Sequence, residues 1–353
     1  MKTIVYKIGD TEASVWLSEA EKILKEGGLV AIPTETVYGL AANALDEGAA
    51  ARIYEAKGRP SDNPLIVHIA DMDMIGELVS ELPDTARRLA ERFWPGPLTM
   101  ILPKSEKVPY GTTGGLDTVA IRMPSHPAAR KLIRETRIPL AAPSANTSGR
   151  PSPTRAEHVF DDLNGKIEMI LDDGPVGIGI ESTIIDLSGE TPMLLRPGYI
   201  TREMLSEVIG SVEVDPAILE VNKDKDFRPK APGMKYKHYA PKGSLLLVSG
   251  DEDKVVEKIC LLSDEKRKEG FKVGIIATDE TKDLYRCDSD CIVMSIGTRS
   301  DEDTISHNLF DILRRMDKAE ADYIYSESFG EGVRGDAIMN RLLKAAGYQQ
   351  IFV

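Results

Sequence analysis

Residues 206–242 constrain the fold most, because they break the chain between two differently patterned parts. The stretch closes with Lys230-Ala-Pro-Gly-Met-Lys-Tyr-Lys-His-Tyr-Ala-Pro241, whose prolines and glycine exclude it from a regular element. A passive tether is rich in Gly, Ser or acidic residues. This one carries rings and cations, and reads as a linker built to touch something. In a chain of 353 residues, the part on each side has sequence enough for its own core. The expected division is therefore 1–205, 206–242 and 243–353.

After the linker, Ser244–Val248, Val273–Ala277 and Tyr323–Ser326 are short apolar runs suited to strands. They alternate with amphipathic stretches at Asp253–Lys268 and Thr304–Ala319. That alternation predicts a compact three-layer α/β module with a parallel sheet, Rossmann-like in pattern. No glycine fingerprint of a dinucleotide site follows Leu245–Val248, so the pattern implies fold alone. Before the linker, helices are expected over Ser14–Glu26, Glu47–Ala56 and Thr85–Arg92. Strands are expected over Leu29–Ile32, Leu65–Ile69, Leu98–Leu102, Thr118–Arg122 and Ile184–Leu187. Many short strands with prolines between them predict a mixed, twisted sheet around a cavity.

The formal net charge of −13 divides as −7 over residues 1–205 and −6 over the remainder. Neither part has the cationic excess of a protein held to nucleic acid by phosphate contacts. Cations that bind phosphate must then be locally focused, which favours a small anionic ligand. No apolar run is long enough to span a bilayer, and the Met1-Lys2-Thr3 start lacks a signal-peptide core; a cytoplasmic protein is expected. Cys260, Cys287 and Cys291 are odd in number and lack a second pair or nearby histidine, so they read as ordinary thiols.

Lys57-Gly58-Arg59-Pro60 places two cations one residue apart beside a glycine, with Asn63-Pro64-Leu65-Ile66 following. On an extended segment the two would point the same way and converge on one phosphate ester. Three further clusters put small hydroxyls and amides next to Pro or Gly. Pro33-Thr-Glu-Thr-Val-Tyr-Gly-Leu40 follows a strand, and its Thr34 and Thr36 also suit turn chemistry. Ala141-Ala-Pro-Ser-Ala-Asn-Thr-Ser-Gly149 offers uncharged donors for phosphates, a ribose or Mg²⁺-bound water, or equally a Ser/Asn turn. Gly177-Ile-Gly-Ile-Glu-Ser-Thr183 precedes a strand and Leu195-Arg196-Pro197-Gly198. His68 lies within a strand, as either a core residue or a ligand. Arg122 and Arg196 end strands facing loops, as carboxylate or phosphate clamps do. There is no P-loop, no H-E-x-x-H and no Ser-His-Asp spacing. Nucleotidyl or phosphoryl transfer, driven by positioning and charge neutralisation, is the leading class.

Taken in order, these motifs resemble the threonylcarbamoyl-AMP synthase family in its longer, two-domain form. The resemblance also rests on Trp94-Pro-Gly-Pro-Leu-Thr99, the linker from Pro232 to Tyr239 and the ending Gly335-Asp-Ala-Ile-Met-Asn-Arg-Leu342. It covers nearly the whole chain. It implies a YrdC-like twisted mixed sheet with a large concave site, plus a smaller Rossmann-like domain. The implied reaction joins L-threonine, bicarbonate or CO₂, and ATP into L-threonylcarbamoyl-AMP and pyrophosphate, with Mg²⁺. The product serves threonylcarbamoyladenosine formation in tRNA, the transfer being made by other machinery.

By the same resemblance, Lys57 and Arg59 carry catalysis by neutralising the triphosphate. Asn63, Thr118, Ser144, Asn146, Ser152, Arg196 and His238 join them around ATP, with Asn146 near Mg²⁺. Arg122 holds the threonine carboxylate, while Thr36, His68, the Ala142 backbone and Ser182 fix its amine and hydroxyl. Residues 230–241 are expected to fold over the pocket, bringing Tyr236, His238 or Tyr239 near the nucleotide. Two other readings compete: a non-catalytic RNA-binding module, which the charge opposes, and a hydrogenase-maturation carbamoyltransferase, whose additional acylphosphatase-like and zinc-binding segments are lacking. Direct tRNA binding is expected to be weak or absent.

Overall fold

The computed structural model describes residues 2–218, 229–232, 238–285, 291–330 and 332–353. Their backbone contacts divide into two compact units, one holding most of residues 1–236 and the other residues 237–353 together with 149–151 and 178–180.

In the first unit, strands β1 (Ile4–Lys7), β2 (Val30–Ile32), β3 (Gly39–Asn43), β4 (Ile66–His68), β5 (Leu98–Pro103) and β6 (Thr118–Arg122) are followed by β7 (Leu140–Ala141), β8 (Met169–Asp172), β9 (Thr183–Asp186), β10 (Met193–Arg196) and β11 (Glu213–Val214). Among the described residues they form one eleven-stranded sheet, in the order β1-β8-β2-β3-β7-β4-β6-β5-β9-β10-β11. It is mixed: β4 and β6 run parallel, while β5 and β6 run antiparallel. Central strands are buried along their length, which is why they read as unbroken apolar runs rather than alternating ones.

Helices α1 (Ala13–Lys25), α2 (Glu47–Lys57), α3 (Asp84–Phe93), α4 (Tyr110–Thr113), α5 (Pro127–Thr136), α6 (Ala156–Leu163) and α7 (Arg202–Ile209) accompany the sheet. In α3, Ala86, Leu89, Ala90 and Phe93 are buried, at the spacing that lines one helical face. Helix α2 begins where the Asp46 carboxylate accepts from Gly48 N at 2.8 Å and Ala49 N at 3.2 Å.

The expected elements are present, with ends moved by a residue or two. The apolar pattern does not mark β3, whose Gly-Leu-Ala-Ala-Asn has no β-branched residue; pairing with β2 makes it a strand. Regular structure also runs into the segment read as linker. Helix α7 reaches Ile209, and β11 pairs in parallel with β10, a two-residue edge strand too short to carry a sequence signal.

The second unit holds β12 (Ser244–Ser249), β13 (Val273–Ala277), β14 (Cys291–Ser295), β15 (Tyr323–Glu327) and β16 (Gln350–Phe352), with α8 (Glu252–Lys268), α9 (Glu302–Lys318) and α10 (Gly335–Ala345). Its sheet, ordered β14-β13-β15-β12-β16, is parallel at every pairing, as the alternating pattern predicts. Helix α9 buries Ile305, Leu309, Ile312, Leu313 and Met316, one apolar stripe along about three turns. Tyr239 is 5% exposed, with its ring centroid 5.0 Å from that of Phe310 on α9. Cys260 and Cys291 are half-buried; Cys287 and Tyr236 lie outside the described residues.

Gly198 sets the approach of the chain after β10 to the start of β9. A Cβ there would stand 2.5 Å from Thr183 N and 2.8 Å from the Ser182 carbonyl carbon, both of them backbone. Gly198→Ala is expected to cost about 1–3 kcal/mol, as overpacking does. Chemical denaturation measures this, and an unchanged midpoint would contradict the close approach.

Candidate active site

Sheet register builds the first half of the site. His68, last residue of β4, pairs with Arg122, last residue of β6, and Arg122 pairs with Thr99 of β5. Neighbouring strands lie about 4.8 Å apart, so the three side chains form a short row on one face. All are buried: His68 is 2% exposed, Thr99 0% and Arg122 4%. The row lies at the carboxyl ends of a parallel pair, where open α/β sheets bind their ligands.

Around that row the chain brings four predicted residues. Ser182 Oγ lies 2.8 Å from Thr99 Oγ1, and Arg196 donates to the Ser182 carbonyl at 3.0 Å and hydroxyl at 3.2 Å. Arg196 Nη1 also reaches the Pro232 carbonyl, at 3.5 Å. Ala142 lies beside β4, but its N–H is committed to the Ile66 carbonyl at 2.9 Å, leaving the carbonyl as its polar group. Thr36 belongs to a turn held by Thr34, whose hydroxyl accepts from Thr36 N and Val37 N and donates to the Val37 carbonyl at 2.6 Å. The Thr36 hydroxyl lies 2.9 Å from that of Thr34, as the turn reading expects.

Between Thr34 and Thr36 sits a residue the motif reading did not single out. Glu35 Oε1 lies 2.7 Å from Arg122 Nη2. The distance makes an ion pair, yet the angles fall outside hydrogen bonding, for neither Glu35 oxygen nor Arg122 Nε or Nη2 makes a hydrogen bond. An acid between two threonines directly after a strand was the available signal.

The second half of the site is the cationic loop, and here the expected geometry is corrected. Lys57 does not lie on an extended segment. It ends α2, Gly58 takes the left-handed conformation at φ 61°, and Arg59 N closes the helix on the Tyr54 carbonyl at 2.9 Å. With Gly58 N on the Glu55 carbonyl, this is a Schellman closure, which demands the glycine between the two cations. The Lys57 ammonium, 1% exposed, donates to the carbonyls of Ser144 and Asn146 at 2.5 Å each. Lys57 thus joins the 141–149 loop directly to α2. Arg59 donates to the Asn63 and Pro64 carbonyls at 3.3 and 3.1 Å. Asn63 is 1% exposed, and its Oδ1 has no hydrogen-bond partner among the described residues. Thr118 opens β6, at the strand end opposite Arg122. Ser152 donates to Glu181 Oε1 at 2.5 Å, both buried. His238 falls with the second unit, its ring 5.5 Å from that of Tyr239.

No group of three or more His, Cys, Asp or Glu suited to a metal occurs among the described residues. No helix among them is long and apolar enough to cross a membrane.

A buried arginine at a strand end and a lysine–arginine loop beside hydroxyls and amides suit an enzyme that activates a small acid with a nucleotide. Comparison with known proteins gives the family. A family model described as "Telomere recombination" matches residues 22–198, and "Threonylcarbamoyl-AMP synthase, C-terminal domain" matches 200–347. The threonylcarbamoyl-AMP synthase of Pyrococcus abyssi is 50% identical over 99% of this chain and 100% of its own length. That of Bacillus subtilis is 49% identical over 94% and 93%. The crystal structure of P. abyssi Sua5 complexed with L-threonine is similar at a TM-score of 0.92 and 49% identity, covering 99% of this chain and 100% of that one. This chain belongs to the threonylcarbamoyl-AMP synthase family.

Burial, and then the Arg122 charge beside it, push the His68 imidazole down from its usual 6.5 to about 3. At neutral pH it is an uncharged hydrogen-bonding group, with Nδ1 3.2 Å from the Ile66 carbonyl. Unfolding frees it to take a proton near pH 6.5, so between about 6.5 and 3 the unfolded chain binds more protons and acid lowers stability. Above that window the contribution is constant. His68→Gln is expected to flatten the stability profile there by up to one proton, about 1.4 kcal/mol per pH unit. Denaturation midpoints at a series of pH values measure this, and an unchanged slope would refute it.

Proposed function

We propose that this chain makes L-threonylcarbamoyl-AMP and pyrophosphate from L-threonine, bicarbonate or CO₂, and ATP. The observation that carries the reading is the row of His68, Arg122 and Thr99 with Ser182 against Thr99, in the same unit as the loop that Lys57 ties to Ser144 and Asn146.

The threonine amine combines with the one-carbon unit to give a carbamate, and a carbamate oxygen attacks the α-phosphorus as pyrophosphate leaves. Arg122 takes the threonine carboxylate. Neutral His68, the hydroxyls of Thr36 and Ser182 and the Ala142 carbonyl orient the amine and hydroxyl. Lys57 and Arg59, with Asn63, Thr118, Ser144, Asn146, Ser152 and Arg196, hold the nucleotide and its departing phosphates. The carbamate is already anionic, so proximity and charge neutralisation supply the rate.

Mg²⁺ suits this donor set, because the hydroxyls and amides near Lys57 include no carboxylate cage and match a cation that arrives on the phosphates. Asn146 would hold it, and bound there it would neutralise phosphate charge.

Residues 206–242 serve as linker and lid between the catalytic part, 1–205, and the remainder, 243–353. Two observations support a lid anchored at the site. Ala231 is fully buried among Ile66, Ile101, Ala120, Ile184 and Leu195, and the Pro232 carbonyl meets Arg196. A covered site protects a labile carbamoyl-adenylate from water. ATP and the tRNA that the product serves are cytoplasmic, and the chain works there, handing its product to separate transfer machinery.

Pyrophosphate release tests the reading, with threonine and bicarbonate each present or omitted. Release needing both is expected; release without a carbon source would indicate plain amino-acid adenylation, and none at all would favour the RNA-binding module. Arg59→Ala is expected to cost ~2–4 kcal/mol of transition-state stabilisation, and wild-type turnover in that variant would remove Arg59 from the site.

A further inference from the structure

We propose that Glu35 is the resident carboxylate of the threonine site: it occupies the Arg122 guanidinium until the substrate's own carboxylate takes its place. The inference rests on the reading of Arg122 as the threonine clamp.

The geometry is that of a pair made to be exchanged. Arg122 and Glu35 are buried to side-chain exposures of 5% and 13%, with 2.7 Å between Nη2 and Oε1. A buried ion pair offsets its desolvation only when hydrogen bonds satisfy the remaining lone pairs and protons. Here both Glu35 oxygens and two Arg122 nitrogens lack hydrogen bonds, so the pair is held by charge alone. A free α-carboxylate can align with the guanidinium fork and make two parallel hydrogen bonds. Glu35 sits on Nη2, the nitrogen common to both forks, and two carboxylates crowded onto it repel, so the ligand gains what Glu35 leaves unmade and Glu35 yields.

The exchange requires no backbone movement. Thr34 pins the turn at Thr36 and Val37, and Tyr38 N is fixed on the Pro153 carbonyl at 2.8 Å. Only the Glu35 side chain need rotate. His126, which caps α5, lies 3.3 Å from Asp173 and also feels the Glu35 charge. In the empty enzyme Glu35 thus keeps a buried guanidinium neutralised and closes it to anions that cannot displace a carboxylate. It is a positioning residue, and it makes threonine binding weaker than the bare clamp would allow.

The test is calorimetric titration of the full-length enzyme with L-threonine and with L-threoninol, which has the amine and side chain but no carboxylate. Glu35→Gln is expected to lower the threonine Kd about tenfold, equivalent to ~1.4 kcal/mol, and to leave threoninol unchanged. Glu35→Asp keeps the charge one methylene short of Arg122 and should tighten threonine in the same direction. Threonine binding unchanged or weakened in both variants would overturn the exchange, as would equal tightening of both ligands. Arg122→Ala separates the underlying reading. If it binds threonine as wild type does, the clamp assignment fails; if it loses threonine while both Glu35 variants match wild type, the exchange alone fails. Thermal melting and ATP binding of each variant verify that the fold is intact.

Discussion

The buried ammonium of Lys57 is the interaction on which the rest of the site depends. A cation removed from water must be paired or hydrogen-bonded, and Lys57 meets that demand with the carbonyls of Ser144 and Asn146. Those bonds hold a loop with no regular structure of its own against the end of α2. Ser148 N on the Lys57 carbonyl at 2.8 Å and Ala145 N on the Tyr38 carbonyl at 2.8 Å complete the attachment. A helix end, a strand-following turn and the hydroxyl-rich loop therefore move as one piece. The lysine shapes the proposed phosphate pocket as well as supplying charge to it.

A second chain of contacts runs along the opposite flank. Thr99 meets Ser182, Ser182 meets Arg196, and Arg196 meets the carbonyl of Pro232. One end of this chain is the strand beside Arg122, and the other lies in the closing part of the linker. A residue proposed to touch threonine is thus two hydrogen-bonded steps from the segment proposed to cover the site. Both flanks are built from strand ends and short turns, where a rigid sheet fixes loop geometry.

Much of this was legible in the sequence, and the failures have physical causes. Central strands such as β5 and β13 announce themselves, because burial on both faces demands unbroken apolar residues. Ordered motifs carried the family, and with it the choice of Arg122, His68 and Ser182. Lys57-Gly58-Arg59 was found for its charges but misread in shape. An extended segment and a Schellman closure both bring two cations together around a glycine, and only the helix before them distinguishes the two. Register was beyond reach: β4 is three residues long, and its alignment with β6 depends on partners far along the chain. The Glu35–Arg122 pair was hidden for the same reason, since a turn and a strand end meet only after the sheet has formed.

The strand order of that sheet carries a consequence for how the chain comes to exist. Strand β1 pairs with β8, Ile4 opposite Met169, and β2 takes the other side of the same strand. Strand β1 precedes every other strand among the described residues, yet its partner follows only after about 160 further residues. Such distant pairings are slow to form, and the edges they leave open invite wrong ones. The N-terminal segment, remote from the chemistry in sequence, is the part of the catalytic unit whose folding waits longest.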